Sequence, residues 1–377
     1  MTYRLGSFTR RTFLSMATTA SVGVARILKA AGSSQLAAPR YGVSDAGDLV
    51  KIDANENPYG PSESALRAIQ AHFSQGGRYP ANTPDLYQAL CTHHHVGAGM
   101  IDVGYGSSEI LKMAVETFLG SGKNVVVAHP TYEAMSRYGS VYGATTIRVP
   151  LDSQYQHDLD KMRAAVNEKT GLVYICNPNN PTATVVAGEK LQRFVESMPP
   201  DVPVLIDEAY HHYVENTAYR SAIPLVLAGK SVIVTRTFSK IYGMAGLRLG
   251  YAIAREDLIA RMAGYKIWLN TNVLTVAAAL ASLDDKDFVE KNRRLNSENR
   301  KYVEQAVRRM GLDYIPSEAN FLMIDLKRDM RSVGTALRAR NIHAGRPFHP
   351  LTTHLRVTIG TAPEMKRFVD ALGAIVA

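Results

Sequence analysis

Residues 231–251 read SVIVTRTFSKIYGMAGLRLGY, and this stretch decides the fold. The run Ser231–Val234 is mostly apolar and β-branched, which predicts a short buried strand. A second strand-like alternation begins at Leu247. Lys240 and Arg248 lie where the neighbouring residues favour burial. A lysine in a solvated surface loop is one interpretation of Lys240, and a functional group at a strand end is the other.

Similar apolar runs recur along the chain from about residue 120. They are NVVVAH (124–129), TTIRVPL (145–151), GLVYIC (171–176), VPVLID (202–207), SVIVT (231–235) and LRLGYAIA (247–254). Stretches with helical periodicity, such as GEKLQRFVESM, lie between several of them. This alternation predicts an α/β fold with a mainly parallel sheet that is covered on both faces. Ligands of such folds bind at the carboxyl ends of the strands.

A chain of 377 residues is long enough for two domains. After about residue 285 a polar helix leads to a second, smaller α/β unit. That unit contains the strand-like runs NFLMIDL and LRVTIG and a closing helix near 363–375. We therefore expect a large domain followed by a small one.

The composition argues against several classes of protein. The net charge is +9, but six basic residues precede the first acidic residue, Asp45, so the rest of the chain carries about +3. We therefore predict no nucleic-acid partner. Two cysteines, Cys91 and Cys176, are too few to define a disulfide framework or a metal site. The run HHH at 93–95 has no spaced partner ligands, and we predict no metal.

The first 38 residues resemble an export signal. Arg10 and Arg11 precede Phe13, Leu14 and a short run of small apolar residues, which is the order found in twin-arginine signals. We expect export, with a periplasmic location. A disordered or amphipathic basic N-terminus is the alternative, and the protein would stay cytoplasmic if the signal is not used. No later run approaches the ~20 apolar residues of a membrane span, so we expect no other membrane segment.

Polar residues interrupt the apolar pattern where the predicted strands end. Asn180 follows one strand, Asp207 ends another and Lys240 follows a third, while Gly106–Ser108 begin a helix. A lysine amine forms a Schiff base with an aldehyde, and an aspartate keeps a pyridine nitrogen protonated. A helix start with hydroxyl groups and an arginine binds a phosphate monoester. Pyridoxal 5′-phosphate carries all three groups, so these residues nominate it as the cofactor.

An ordered set of motifs resembles one known family. The motifs are ANENPYGPS, RYP, GSSE, HPTYE, NPNNPT, DEAY, TFSK, GLRLGY and LRVTIG. Together they resemble a fold-type I, class I/II pyridoxal-phosphate aminotransferase, closest to the histidinol-phosphate aminotransferase branch, over residues 50–375. The resemblance implies a three-layer α/β/α large domain with a mainly parallel sheet, as in aspartate aminotransferase, and a smaller α/β domain.

With this resemblance we predict four segments. They are the signal or tail at 1–38, an N-terminal segment at 39–75 that joins the small domain and the dimer, the large cofactor-binding domain at 76–284, and the small C-terminal domain at 285–377.

The resemblance also implies roles for individual residues. Lys240 is expected to bind the cofactor's aldehyde and then to shuttle a proton during catalysis, and Asp207 to pair with the pyridine nitrogen. Asn180 and Tyr210 are expected to hydrogen-bond the phenolic oxygen, and Tyr132 to stack on the ring. The expected phosphate contacts are Gly106, Ser107, Ser108, Thr237, Ser239 and Arg248.

Substrate contacts follow from the same resemblance. Arg356 is implied to bind the carboxylate of an amino acid, or a phosphate in the histidinol-phosphate branch; a structural salt bridge is the alternative. Asn320 and Asn180 are expected in the same pocket, and Arg346 is a second candidate anion contact or a solvated loop residue. Tyr79 is implied to reach the cofactor of a partner subunit, which predicts a homodimer with shared active sites.

Three departures accompany this resemblance. Ala183 stands where the family usually has glycine, and Tyr41 lacks the usual surroundings of the substrate-binding tyrosine near the N-terminus. Export would separate the protein from histidine synthesis, which is cytoplasmic. Gly243 and Gly246 are expected to let the loop after Lys240 fold closely.

The predicted function is a ping-pong aminotransferase reaction between an amino donor and a 2-oxo acid. A free amino acid is one hypothesis for the donor. A decarboxylase of the phosphothreonine type is one alternative function, and a cofactor-binding sensor without turnover is another.

Overall fold

The apolar runs of the sequence form the strands of the protein. The structure is a computed structural model that describes residues 49–81 and 83–377. The strands of this part are β1 (Val50–Ile52), β2 (Ile101–Tyr105), β3 (Asn124–His129), β4 (Thr145–Pro150), β5 (Thr170–Cys176), β6 (Val204–Asp207), β7 (Val232–Thr237), β8 (Leu249–Ala254), β9 (Asp313–Ile315), β10 (Phe321–Asp325), β11 (Ile342–Ala344) and β12 (His354–Thr358). The signal prediction for residues 1–38, and Tyr41, lie outside the described residues.

Helices follow most of these strands. They are α1 (Glu63–His72), α2 (Thr83–His94), α3 (Ser107–Phe118), α4 (Ala134–Val141), α5 (Leu159–Ala165), α6 (Gly188–Glu196), α7 (Ile223–Leu227), α8 (Glu256–Ala263), α9 (Val273–Asp284), α10 (Lys286–Arg309), α11 (Met330–Arg338) and α12 (Ala362–Val376). Within residues 49–81 and 83–377, none of them combines the length and the apolar character of a membrane-spanning helix.

Seven strands form the central sheet, in the order β2-β8-β7-β6-β5-β3-β4. The pairs from β4 to β7 are parallel, whereas β8 is antiparallel to both β7 and β2. The sheet is therefore mainly parallel, as the alternating pattern predicts. The strand β2 was not among the predicted strands, because Asp102 and Gly104 interrupt its apolar run.

Both faces of the sheet are covered. Adjacent strand residues alternate between two apolar clusters: Val126 belongs to one and Val127 to the other. The first cluster includes Leu86 of α2 and Phe194 of α6, and the second includes Leu111 of α3. This arrangement is the predicted three-layer α/β/α architecture, and it explains why the strands are apolar on both sides.

A smaller group of elements has its own apolar core. Strands β12, β10 and β9 form an antiparallel sheet, and β1 pairs in parallel with β11. A third cluster joins residues of β1, β10 and β12 to apolar residues of α10, α11 and α12. The N-terminal strand β1 thus pairs with the C-terminal part of the chain. The boundaries at residues 76 and 285 remain predictions.

The loop after β7 passes very close to an earlier part of the chain. Gly243 has a φ of 68°, and a Cβ at this position would lie 2.0 Å from the carbonyl oxygen of Gly60. A Cβ at Gly246 would meet no atom within 4 Å. The protein's own packing therefore requires glycine at Gly243, whereas Gly246 lines a cavity, and its role in a close approach to a ligand remains a prediction.

This contrast supplies a stability prediction with an internal control. Gly243→Ala should lower the free energy of unfolding by at least about 2 kcal/mol, because a left-handed residue costs roughly 1–2 kcal/mol and the overlap roughly 1–3 kcal/mol. Gly246→Ala should change it by less than about 0.5 kcal/mol. Urea unfolding followed by circular dichroism measures both, and equal effects would contradict the prediction.

Candidate active site

The strand register brings the predicted site residues to one edge of the sheet. Asp207 of β6 is level with Cys176 of β5 on one side and with Thr235 of β7 on the other. The chain segments that follow these three strands therefore leave the sheet together. They line a cavity of about 470 Å³, which the start of α3 also borders.

Most predicted site residues line this cavity. They are Ser107, Ser108, Tyr132, Asn180, Asp207, Tyr210, Thr237, Ser239, Lys240, Arg248, Arg346 and Arg356. Gly106 directly precedes α3 as its N-cap residue. Tyr79 and Asn320 are not at the cavity wall, and their positions are described below.

Lys240 is half-buried in the cavity, three residues after β7. Its Nζ donates hydrogen bonds to the backbone oxygens of Asn55, at 2.9 Å, and Ala54, at 3.3 Å. Burial, followed by the positive charge of Arg356, lowers the pKa of Lys240 to about 8. Roughly a tenth of this amine is therefore uncharged at pH 7, far more than for a lysine in water, and the uncharged form is the one that acts as a nucleophile and proton acceptor.

The lowered pKa predicts a specific pH dependence. In cofactor-free protein, acylation of Lys240 should rise with pH through a midpoint near 8, because only the uncharged amine reacts. Lysines in water titrate near 10.4. Competitive labelling with acetic anhydride, quantified for each lysine peptide by mass spectrometry, measures the midpoint. A midpoint above about 9.5 for Lys240 would contradict the prediction.

Asp207 ends β6 and is 3% exposed. Tyr174 donates to its Oδ2 at 3.0 Å, and Thr235 and the backbone amide of Ala209 donate to its Oδ1 at 3.2 Å. Burial raises the pKa of Asp207, and these hydrogen bonds oppose that rise. The result is a buried carboxylate at the cavity wall, which suits a protonated ring nitrogen as its partner.

Two amide side chains meet the Tyr210 hydroxyl. Asn55 donates to this oxygen at 3.1 Å and Asn180 at 3.5 Å. Burial raises the pKa of Tyr210, so the phenol keeps its proton. Because both amides act as donors, the hydroxyl proton is available for an acceptor in the cavity. Asn180 and Tyr210 therefore lie side by side at the cavity wall, and their contact with the phenolic oxygen remains a prediction.

The guanidinium of Arg248 lies beside the start of α3 on another side of the cavity. Gly106 has a φ of 71°, and a Cβ there would lie 2.4 Å from Nη2 of Arg248. Arg248 is itself left-handed, with a φ of 60°, and donates to the Ala245 oxygen at 2.8 Å and to Ser239 Oγ at 3.4 Å. Glycine at 106 thus lets the guanidinium approach the first turn of α3. Arg248 also explains why β8 begins at Leu249 rather than at the predicted residue 247.

These residues fit pyridoxal phosphate. A primary amine of lowered pKa, a buried carboxylate and a phenol face one cavity, with a helix start and a guanidinium beside them. The close approach that Gly106 permits creates an anion site of the kind that a phosphate ester needs. Lys240 would hold the aldehyde carbon, Asp207 the ring nitrogen, and Arg248 with Ser107 and Ser108 the phosphate.

Arg356 is the predicted substrate arginine, and it is 8% exposed. It donates to Asn180 Oδ1 at 2.8 Å and to the backbone oxygen of Asp53 at 2.5 Å, while its buried Nε has no hydrogen-bond partner. Its guanidinium lies 4.8 Å from the centre of the Phe348 ring. Arg346 stacks on the same ring at 4.4 Å and donates to Glu133 at 2.8 Å.

Two predicted residues lie away from the cavity wall. Asn320 donates its amide hydrogens to the backbone oxygens of Asn55, at 3.1 Å, and Glu56, at 3.3 Å. It therefore supports the segment that contacts Lys240 instead of lining the pocket. Tyr79 is 79% exposed, and its predicted contact with a partner subunit remains a prediction.

Several residues of the site were not predicted from the sequence. Asn55 contacts both Lys240 and Tyr210, and its only signal was the motif ANENPYGPS. Phe348 and Glu133 also line the cavity. Ala183 adopts a φ of 60°, so it keeps the left-handed turn for which glycine is usual.

The described residues contain two free cysteines, Cys91 and Cys176, both buried. Within residues 49–81 and 83–377, no group of three or more His, Cys, Asp or Glu side chains is arranged to hold a metal ion.

Comparison with known proteins agrees with this geometry. Residues 47–372 match the family model "Aminotransferase class I and II". A histidinol-phosphate aminotransferase of Moorella thermoacetica is 40% identical over 334 residues, which cover 88% of this chain and 86% of that protein. These two matches agree with the motif order of the sequence.

Two solved structures share the fold. One, from Erwinia carotovora atroseptica and of proposed histidinol-phosphate aminotransferase identity, has a TM-score of 0.85 and 31% identity, and covers 87% of this chain and 96% of its own. The other is histidinol-phosphate aminotransferase from Sinorhizobium meliloti in complex with pyridoxal 5′-phosphate; its TM-score is 0.82, with 27% identity and coverage of 87% and 90%.

The matches confirm the predicted fold class, cofactor and type of reaction. One conclusion follows from the sheet edge, from the amine and carboxylate that face its cavity, and from the family match along most of the chain. The chain belongs to the class I and II aminotransferases and is a pyridoxal-phosphate-dependent enzyme of that family.

Proposed function

We propose that the enzyme takes the amino group from an amine that also carries an anionic group, and passes it to a 2-oxo acid in a ping-pong reaction. The observation that supports this proposal is Arg356. Its guanidinium is buried at the wall of the cavity that contains Lys240 and Asp207, and its Nε has no partner in the protein. A buried guanidinium with a free donor is suited to a carboxylate or a phosphate.

The chain's own residues account for the proton transfers. Pyridoxal phosphate, when bound, supplies the aldehyde that receives the amino group and the ring that accepts an electron pair. The Lys240 amine, when free and uncharged, would accept the proton from the donor's α-carbon and would deliver the same proton to the carbon of the cofactor's aldehyde group. Asp207 keeps its negative charge close to the ring nitrogen, and Tyr210 keeps a hydroxyl proton for the phenolic oxygen.

Two classes of donor are consistent with Arg356. The names of the relatives make histidinol phosphate one candidate, with its phosphate on Arg356. A free amino acid is the second, because a single carboxylate matches one guanidinium that lacks an acidic partner. Arg346 also lines the cavity, but it differs from Arg356 because its guanidinium forms an ion pair with Glu133.

The test is a panel of half-reactions. Cofactor-loaded protein is mixed with histidinol phosphate and with each of the common amino acids, and the loss of the cofactor's visible absorption is followed. The proposal expects rapid conversion by at least one donor and recovery of the absorption with a 2-oxo acid. Carbon dioxide release without conversion would indicate a decarboxylase instead. Binding of cofactor without any half-reaction would indicate a sensor.

We also propose that two copies of the chain pair and complete each other's sites, with Tyr79 contacting the partner's cofactor. Support comes from exposed apolar side chains beside the phosphate contact. Trp268 is 88% exposed, Ile267 64% and Tyr105 52%, and the guanidinium of Arg248 lies 5.6 Å from the Tyr105 ring centre. Large exposed apolar patches mark interaction surfaces.

Light scattering coupled to gel filtration tests the dimer. Trp268→Asp should shift the protein toward the monomer and increase the dissociation constant for pyridoxal phosphate. Val141→Asp is the matched control, because Val141 is 77% exposed on α4. A monomeric wild-type protein at micromolar concentration would overturn this proposal.

We further propose that the chain is exported by the twin-arginine route to the periplasm. The support is the order of Arg10, Arg11, Phe13 and Leu14 in the sequence. In a bacterial host with this pathway, replacing both arginines by lysine should retain the protein in the cytoplasmic fraction. Equal periplasmic amounts of the variant and the wild type would refute the proposal.

A further inference from the structure

The charged side chains of the cavity divide into two groups. Lys240, Asp207 and Arg248 are the charged side chains that would hold the cofactor. The other group consists of Arg346, Arg356, Glu56 and Glu133, and it includes the two arginines that are candidates for binding the anionic group of the substrate. The balance of charge in this second group sets which substrates the site admits, because the first group is already matched to the cofactor.

Glu133 directly follows Tyr132 and stands at the N-cap of α4. A side chain at this position commonly accepts a hydrogen bond from its own helix, but Glu133 makes no such bond. Its carboxylate instead accepts a hydrogen bond from Nη2 of Arg346 at 2.8 Å. The two residues are 213 positions apart in the chain, so this contact exists only in the folded protein.

The Phe348 ring places the two arginines in one array. The Arg346 guanidinium lies 4.4 Å from the ring centre and the Arg356 guanidinium 4.8 Å. Arg346 has a carboxylate partner, whereas Arg356 contacts a side-chain amide and a backbone oxygen. Both cations therefore stack on Phe348, and they differ in neutralisation because only Arg346 has a carboxylate partner.

We propose that Glu133 is a specificity-determining residue that neutralises Arg346, so that the site favours donors with one negative charge, such as free amino acids, over phosphate monoesters. This inference rests on the proposed function. A phosphate monoester carries close to two negative charges near pH 8 and gains most from two free guanidinium groups. Glu133 occupies one of these guanidinium groups, and its negative charge repels the dianion. The site would therefore discriminate against phosphate monoesters both by removing an attractive contact and by adding a repulsive one.

The size of the effect is limited by solvent. The Arg346 and Glu133 side chains are 56% and 61% exposed, and ion pairs of this kind are screened by water. A dianion can therefore displace Glu133 at a modest cost. We expect the site to bind singly charged donors about tenfold more tightly than phosphate monoesters. The ion pair should disfavour phosphate donors without excluding them.

L-Histidine and L-histidinol phosphate test the proposal, because they share the imidazole and differ in the anionic group. The measured quantity is the ratio of the second-order half-reaction rate constants, phosphate donor over carboxylate donor. Glu133→Gln should raise this ratio about tenfold. In the Arg346→Gln background the same change should alter it less than twofold, because Glu133 then has no cation to neutralise.

Glu56→Gln is the matched control. Glu56 lines the same cavity but pairs with Lys51 at 3.6 Å, so its removal takes away the same charge without releasing Arg346. In Glu56→Gln, the ratio of the phosphate-donor to the carboxylate-donor rate constant should change by less than a third as much as in Glu133→Gln. A shift of equal size in both variants would overturn the specific role of Glu133, as would an unchanged ratio in Glu133→Gln.

A binding measurement gives the same comparison without turnover. Calorimetric titration of cofactor-loaded protein with phenyl phosphate and with benzoate compares a dianion and a monoanion on one ring. In Glu133→Gln, the affinity for phenyl phosphate should rise at least fivefold relative to the affinity for benzoate. An unchanged ratio of the two affinities would contradict the proposal. If wild-type protein reacts with no amine at all, the proposed function fails as well; if it reacts and the ratios stay constant, only the role of Glu133 fails.

Discussion

Replacing Lys240 by alanine should reduce transamination by at least about a thousandfold. Proton transfer by a positioned side chain contributes typically 10²- to 10⁴-fold to a rate, and this variant also loses the amine that holds the cofactor's aldehyde. The alanine side chain cannot reach the Asn55 oxygen that Lys240 contacts at 2.9 Å. The measurement is the single-turnover rate with the best donor of the amino-acid panel.

Lys190→Ala is the control for this prediction. Lys190 is an exposed residue of α6, so its loss removes an amine from the surface and leaves the cavity unchanged. The Lys240 variant should also lose the visible absorption of lysine-bound cofactor, while the Lys190 variant keeps it. A Lys240→Ala protein that turns over within tenfold of the wild-type rate would show that another group transfers the proton.

The second large effect is expected for Asp207→Asn. This change keeps the shape of the side chain and removes the buried carboxylate that is predicted to pair with the ring nitrogen. Loss of one positioned electrostatic group costs about 10²- to 10³-fold in rate, so we expect a decrease of that size in kcat. Cofactor affinity should also fall, because the carboxylate no longer pairs with a protonated nitrogen.

Thr235→Val separates the charge of Asp207 from its surroundings. Thr235 donates one of the three hydrogen bonds to this carboxylate, and valine has the same shape without the donor. We expect less than about a tenfold loss of kcat in Thr235→Val, since the charge remains and one hydrogen bond contributes about 1 kcal/mol. If Thr235→Val and Asp207→Asn lower kcat equally, the negative charge is not the decisive feature.

Local pattern predicts much of this protein because strand burial leaves a direct record in the sequence. The runs that form β5, β6 and β7 are apolar on both faces, and helical stretches lie between them. In a parallel sheet their carboxyl ends meet at one edge. Asn180, Asp207 and Lys240 are polar residues at three such ends, so their convergence follows from the topology alone. Their chemical types then indicate the cofactor.

Contacts between distant parts of the chain could not be predicted in the same way. The guanidinium of Arg248 lies beside the start of α3, where Gly106, far away in the sequence, leaves room for it. Asn55 reaches Lys240 and Tyr210 across 185 and 155 positions of the chain. No local periodicity encodes contacts of this length, since each residue's own surroundings are compatible with many partners.

The sequence by itself thus determined the layered fold and the cofactor, and it indicated which residues of one cavity are the candidates for binding the cofactor's three handles. These depend on burial periodicity, strand ends and a motif order that are all local or sequential properties. Only the tertiary structure decided that Arg346 is neutralised by Glu133 while Arg356 is not, and that Asn320 supports the wall of the cavity without lining it. The physical reason is that charge pairing and packing depend on distances in space, which the folded chain sets between residues far apart in the sequence.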